Sequence, residues 1–385
     1  MKTIYVDNNA TTEVLPEVIE AMLPFFGKLY GNPNSMHSFG GQVGKHVDDA
    51  RENIANFLGA SRPSEIVFTG CGTESDNTAI RAALITQPDK KHIVTTAVEH
   101  PAVLELCKYL QDKEGYNVTF LGVDEKGNLD LEEFKASLRN DTAIVSIMWA
   151  NNETGVIFPM QEIAEICAEK SIPFHTDAVQ SAGKIPIDLQ KTPITYLAIS
   201  GHKVNAPKGI GALYIKRGTK FAPWLIGGHH EQSRRAGTLN VPSIIGLSKA
   251  CELAQKYMKE ESGKVKNLRD QLENGLLESI PKSFLNGDKQ NRLPNTANIS
   301  FESIEGEAIL LMLNEFGICA SSGSACSSGS LEPSHVLRAM KVPFTRAHGS
   351  IRFSLSRFNT KEEMSFIIEK MQGIVKRLRE LSPVS

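Results

Sequence analysis

The sequence predicts an α/β protein: a large domain on a mostly parallel sheet, then a smaller α+β domain. Three observations predict it. Between about residues 65 and 216, short β-rich runs alternate with helical stretches, the pattern of strands joined by helices that cover both faces of a sheet. Beyond about residue 258 the helices lengthen and strands become fewer. The third is length: 385 residues are enough for two or three domains, each with its own core.

The expected strands are Glu65–Thr69, His92–Ala97, Asn117–Leu121, Thr142–Trp149, Ile172–His175, Thr195–Ser200 and Gly211–Lys216, each rich in β-branched or aromatic residues and bounded by turns or helical patterns. Thr73 with Asp76 and Asp130 with Glu133 read as capping boxes, and Pro101 suits the first turn of a helix. Near the C-terminus, Thr360 with Glu363 caps a helix whose Met364, Ile367, Ile368, Met371, Ile374, Val375 and Leu378 form one apolar stripe.

Composition narrows the function classes. The 42 Lys and Arg nearly balance 44 Asp and Glu, a formal net charge of −2, so the electrostatic footprint of a nucleic-acid or anionic-membrane binder is missing. Six cysteines without a CxxC pair resemble neither a disulfide framework nor a zinc site and suit a reducing cytoplasm. The start, MKTIYVDNNATTEV, has no apolar stretch of a secretory signal. No apolar run approaches the ~18 residues of a membrane span. The expectation is a cytoplasmic protein acting on a small molecule.

Several motifs fail on inspection. Gly40–Lys45 (GGQVGK) is one residue short of a P-loop, lacks the Ser or Thr after Lys, and follows no predicted strand. Ala325 stands where a nucleophile elbow around Cys326 needs Gly. No GxGxxG follows a strand, and Cys319, Cys326, His335 and His348 lack metal-ligand spacing.

What survives is a set of polar residues placed just after the predicted strands, where open α/β sheets bind ligands. Gly72-Thr73-Glu74, Glu99-His100, Asn151-Asn152-Glu153, Asp177 with Gln180, and Ser200-Gly201-His202-Lys203 follow five strands. Pyridoxal phosphate calls for such a set: a lysine amine, a carboxylate opposite the pyridine nitrogen, an aromatic over the ring and a phosphate cup. Lys203, Asp177 and His100 supply the first three; Thr73, Ser200 and His202, beside a helix N-terminus, supply the cup. Each has a plainer alternative. Lys203 precedes a Pro-Lys-Gly turn and suits a solvated surface; His100 and Asp177 suit helix caps.

The segment 321–330 reads SSGSACSSGS. By composition it is a flexible surface loop. An exposed free thiol is also a liability, which makes Cys326 a candidate nucleophile able to swing between a buried cofactor and an outside acceptor. Cys107, Cys167 and Cys251 fall in helical patterns and read as core. Arg352, in the predicted strand 349–356, suits either a bidentate clamp for a substrate carboxylate or a surface salt bridge.

With these residues in place, the chain resembles the cysteine desulfurases of the NifS/IscS family, fold-type I pyridoxal-phosphate enzymes of aminotransferase class V, and most closely the NifS branch. The stretches YVDNNATT, YGNPNSMH, WANNETGV, HTDAVQSAGK, SGHKVNAPKGIGALY, RRAGT, SSGSACSSGSLEPSHVLRAM and IRFSLSRF carry the likeness across essentially the whole chain. The resemblance implies a large cofactor domain over residues 15–258 and a small domain of 1–14 with 259–385 that carries a mobile cysteine loop at 321–332. It assigns Lys203 as the Schiff-base lysine, His100 as the ring-stacking acid–base group, Asp177 to the pyridine nitrogen and Gln180 to the phenolic oxygen. Gly72, Thr73, Ser200 and His202 would hold the phosphate, joined by Thr238 of a partner subunit in a homodimer. Asn152 and Arg352 would bind the carboxylate of L-cysteine, and Cys326 would take its sulfur for an iron–sulfur scaffold protein or other acceptor. Two departures are visible: Ala206 where relatives usually have Gly, and Cys71 before Gly72. A selenocysteine lyase or a class V aminotransferase would share the fold, though an aminotransferase has no need of a mobile cysteine; a non-enzymatic assembly scaffold is the remaining alternative.

Overall fold

A computed structural model describes residues 3–322 and 333–381. In chain order its strands are β1 (Ile4–Tyr5), β2 (Ile66–Thr69), β3 (His92–Thr96), β4 (Asn117–Leu121), β5 (Thr142–Ser146), β6 (Phe174–Asp177), β7 (Tyr196–Ser200), β8 (Gly211–Ile215), β9 (Ser283–Asn286), β10 (Thr296–Phe301), β11 (Ile318–Cys319) and β12 (Ser350–Ser354). Seven form the central sheet in the order β2-β8-β7-β6-β5-β3-β4. The pairs from β7 to β4 are parallel, whereas β8 runs antiparallel to both β2 and β7. The fold class is therefore the expected one, α/β with a mostly parallel sheet. The β8 reversal has a simple cause: residues 201–210 hold only a short 3₁₀ turn, too little chain for a parallel crossover.

Strands β3, β5, β7 and β8 are buried along their whole length, as expected of a sheet covered on both faces. On one face, Ile80, Val103, Leu110 and Tyr196 belong to one apolar cluster; on the other, Ile54, Val94, Phe174 and Leu247 belong to a larger one. A third cluster lies around the antiparallel sheet β12-β10-β9 and the parallel pair β1–β11. The helix Val241–Ser279 joins the units, with Leu247 and Cys251 in the larger sheet cluster and Leu268, Leu272 and Leu276 in the third. The helix His335–Ala339, inside the C-terminal stretch, packs Val336 and Leu337 into the larger sheet cluster. No helix among the described residues is long and apolar enough to cross a membrane.

Local signals were honoured unevenly. Asp130 caps its helix, accepting from the Glu132 and Glu133 N–H groups. Thr360 and Glu363 cap each other's backbone N–H, and Pro101 opens the helix Pro101–Glu114. The Thr73–Asp76 capping box does not form: the helix begins two residues earlier, at Gly72, and Cys71 at its N-cap makes no side-chain bond. Asp76 instead points into the interior and is buried. The strand expected at Ile172–His175 lies at Phe174–Asp177, because Ile172 N–H still bonds back to Cys167 O of the preceding helix. That shift places Asp177 at the last position of β6.

Candidate functional site

The parallel strands end at one edge of the sheet, and the polar residues collect there. From β2 the chain enters the helix Gly72–Thr86, whose first-turn N–H groups have no carbonyl within the helix. A Cβ on Gly72 would lie 2.9 Å from Val179 Cγ2 and 3.4 Å from Ser200 Cβ, so the ends of β2, β6 and β7 close around a position that only glycine fits. The acidic Glu74 in that first turn is matched by Arg235, whose Nε lies 2.8 Å from Glu74 Oε1.

Lys203 is not a solvated surface lysine. Its Nζ donates to the backbone carbonyls of Asn9 (2.5 Å) and Ala10 (2.8 Å). Gln180 Nε2 donates to the same Asn9 oxygen (3.0 Å) and its Oε1 accepts from Lys184 Nζ (2.9 Å). Both expected residues thus meet at a main-chain oxygen of the N-terminal segment. His202 Nδ1 lies 3.2 Å from Thr11 Oγ1, and burial with help from Lys203 pushes its pKa down to about 4.

His100 takes the plainer role as well. It is the N-cap of Pro101–Glu114, its Nδ1 accepting from Ala102 N–H at 3.1 Å. That bond fixes the tautomer: the neutral ring carries its proton on Nε2. Burial lowers the His100 pKa, Asp177 pulls it back up, and Lys203 adds to the lowering. Burial raises Asp177, opposed by His100, the Val179 N–H bond and Lys203. The three groups are therefore electrostatically linked.

Asp177 does not stand alone. Asp76, His175 and Glu99 are buried with it; the sequence marked Asp76 as a helix cap and Glu99 as a residue following a strand, and gave His175 no role. Burial, Asp177 and Glu99 raise Asp76 well above the carboxylate range. Burial pushes Glu99 up to about 8 although Thr96 and the Met148 N–H bond to it. His175, pushed down to about 3 by burial, places Nε2 3.4 Å from Asp76 Oδ1 and Nδ1 2.8 Å from Ser146 Oγ. Burial thus favours the protonated carboxyl at Asp76 and Glu99 and the uncharged ring at His175.

Arg352, on β12, is only 5% exposed, which excludes the surface salt bridge. Nη1 donates to Asn152 O (3.1 Å), Nη2 pairs with Asp7 Oδ1 (2.9 Å), and Nε is buried with no hydrogen-bond partner among the described residues. Asn152 meets Arg352 through its main chain. Asn151 builds the turn beneath it, donating to Val98 O and accepting from the Glu153 and Thr154 N–H groups. Thr238 is exposed and is not brought to these residues; its loop is tied down by Arg235–Glu74 and by the Arg51–Glu231 pair at 2.7 Å.

Cys326 lies outside the described residues. The two chain ends that flank it reach the site: Ser321 exchanges two backbone hydrogen bonds with Arg352, and Ser334 Oγ donates to the buried Glu153 at 2.5 Å. Asn9 is the residue that sequence reasoning missed most clearly. Its amide donates to Asn152 O and Thr296 Oγ1, and its Oδ1 accepts from Asn295. The polar run DNNATT, atypical for a segment with buried asparagines, was the available signal.

The chain matches the aminotransferase class-V family profile over residues 4–367. It is 60% identical to a cysteine desulfurase of Trichormus azollae, across 100% of this chain and 95% of that protein. To the cysteine desulfurase NifS of Azotobacter vinelandii it is 58% identical, with the same coverage of each. A solved NifS-like protein superposes with a TM-score of 0.92 at 39% identity, covering 98% of this chain and 100% of that one. The chain belongs to the aminotransferase class-V family. Within that family, its likeness is to the cysteine desulfurases of the NifS group.

Proposed function

We propose that this chain is a pyridoxal-phosphate-dependent cysteine desulfurase, converting L-cysteine to L-alanine and transferring the sulfur to Cys326 as a persulfide. The reading is carried by the gathering of Lys203, His100, Asp177 and the helix N-terminus at Gly72 along one sheet edge, in a chain 60% identical to a cysteine desulfurase.

The residues fit the cofactor. Gly72, Thr73, Ser200 and His202 offer backbone and side-chain donors for a phosphate at a helix N-terminus, where the dipole favours an anion. The Gly72 backbone is bare where a side chain would collide. Asp177 is a buried carboxylate suited to a protonated ring nitrogen, and Gln180 lies beside Lys203 on the Asn9 carbonyl. When bound, the cofactor supplies an electron sink that labilises bonds at the substrate Cα and Cβ.

Each residue then has a task. The Lys203 amine would hold the cofactor and, when free, would take and return the substrate's Cα proton. Asp177 keeps the ring nitrogen protonated. Arg352, whose Nε has no partner among the described residues, and Asn152 bind the substrate carboxylate. His100, with Nδ1 occupied by its cap, exchanges protons through Nε2. The Cys326 thiolate attacks the substrate sulfur; the new S–S bond forms as Cβ–S breaks, and Cβ takes a proton on the way to alanine. Substrate and enzyme thiol thus become alanine and a Cys326 persulfide, with no external oxidant.

The finer assignment extends to assembly. The enzyme is a homodimer in which Thr238 reaches the partner's phosphate site, it works in the reducing cytoplasm, and it hands sulfur to an iron–sulfur scaffold or another acceptor. Purified holoenzyme given L-cysteine and a thiol reductant tests the reaction. Alanine and sulfide in equal amounts, abolished in Lys203→Ala, are the expected result; normal turnover in Lys203→Ala would remove the reading.

A further inference from the structure

A cleft lies between the Lys184–Ile187 segment, the helix Val241–Ser279 and the turn before β10. Its volume is about 640 Å³, within the range of small-molecule sites. Five cationic side chains line it, Lys184, Lys259, Lys266, Arg269 and Arg292, and none of the described lining residues is acidic. Phe57, Ile187 and Met258 provide apolar wall.

The two arginines distinguish this cleft from a surface patch of lysines. The Arg292 side chain is 1% exposed and the Arg269 side chain 3%. Arg269 is satisfied by Asp270 Oδ1 and Leu293 O. Arg292 Nη2 pairs with one carboxylate, Glu273 Oε2, at 2.6 Å, while its Nε and Nη1 have no hydrogen-bond partner among the described residues. A buried guanidinium with unused donors is costly. The neighbouring Arg269 charge adds repulsion to it, after burial the next cause lowering the Arg292 pKa. An anion in the cleft would offset the repulsion between the two guanidinium groups.

We propose that this cleft binds a small organic anion, a carboxylate or phosphate ester bearing an apolar group, at a site separate from the proposed catalytic centre. The anionic head faces Arg292 and the lysines, and the apolar part rests on the Phe57, Ile187 and Met258 wall. Occupancy is connected to the catalytic lysine by a short path. Lys184 lines this cleft and a smaller cavity of about 80 Å³ beside Lys203, and it donates to Gln180, which shares the Asn9 carbonyl with Lys203.

Calorimetric titration of the cofactor-loaded enzyme with phenyl phosphate tests the site without reference to turnover, since the cofactor's own phosphate fills the other anion cup. The expected result is saturable binding, weaker for inorganic phosphate and absent for benzyl alcohol. In the double variant Lys259→Glu/Lys266→Glu, which alters two exposed side chains, affinity should fall about tenfold or more through reversed charge while the thermal midpoint without probe stays unchanged. Equal affinity in the double variant, no saturable heat at millimolar probe, or inorganic phosphate binding as tightly as phenyl phosphate would each overturn the proposal.

Discussion

Lys203 shows an amine held by the main chain of a distant segment: its Nζ donates to the carbonyls of Asn9 and Ala10. Arg352 is a guanidinium engaged by Asp7 and Asn152 O, with no partner for Nε among the described residues. Replacing Arg352 with Ala should chiefly raise the apparent KM for cysteine by ~10–100-fold, the loss of a charge-assisted pair; steady-state kinetics with an unchanged KM would remove it from the substrate site. Glu99 offers a stability test. Its folded pKa is about 8 against an ordinary 4.5, so the folded state binds the extra proton between these values. The stability contribution is full below 4.5 and is lost as pH rises through about 8. Glu99→Gln, permanently neutral, should therefore show a flatter fall of Tm across that window than the wild type; parallel Tm curves would show that Glu99 ionises normally.

At the scale of the element, function follows from where strands stop and helices start. The backbone at Gly72 turns from strand to helix in a space bounded by Val179 and Ser200. Gly72→Ala should overpack it by ~1–3 kcal/mol and weaken cofactor binding in a titration followed by visible absorbance; unchanged affinity would separate this helix start from the phosphate. Thr360→Ala, by contrast, should cost ~1 kcal/mol of stability in denaturant unfolding and leave the cofactor untouched. The same two helix starts mark what was legible in the sequence. Thr360 with Glu363 is a local signal and formed as read. Thr73 with Asp76 has the same pattern, but burial of Asp76 against β6 and the departure from β2 set the start at Gly72 instead. Strand ends and their polar residues could be read because the edge rule of parallel sheets is topological. Asp76, His175 and Asn9 could not, since each gains its place from contacts distant in sequence.

For the whole molecule, the N-terminal segment couples the two units of the fold. Asp7 pairs with Arg352 on β12, while the Asn9 backbone meets Lys203 and Gln180 and its side chain meets Asn152, Asn295 and Thr296. The shift from strand–helix alternation to long helices could be read along the chain, but this lacing could not, because β1 pairs with β11 more than 300 residues away. It also sets where the segment bearing Cys326 begins and ends, at Ser321 beside Arg352 and at Ser334 on Glu153. The central claim is that this segment delivers the sulfur acceptor to the Lys203 site. Intact-protein and peptide mass spectrometry after mixing the holoenzyme with L-cysteine, with alanine measured in the same sample, tests it most directly. The account predicts one added sulfur on Cys326 and matching alanine, with both lost in Cys326→Ala. Alanine formed at the wild-type rate by Cys326→Ala, or sulfur found on another cysteine and none on Cys326, would contradict it.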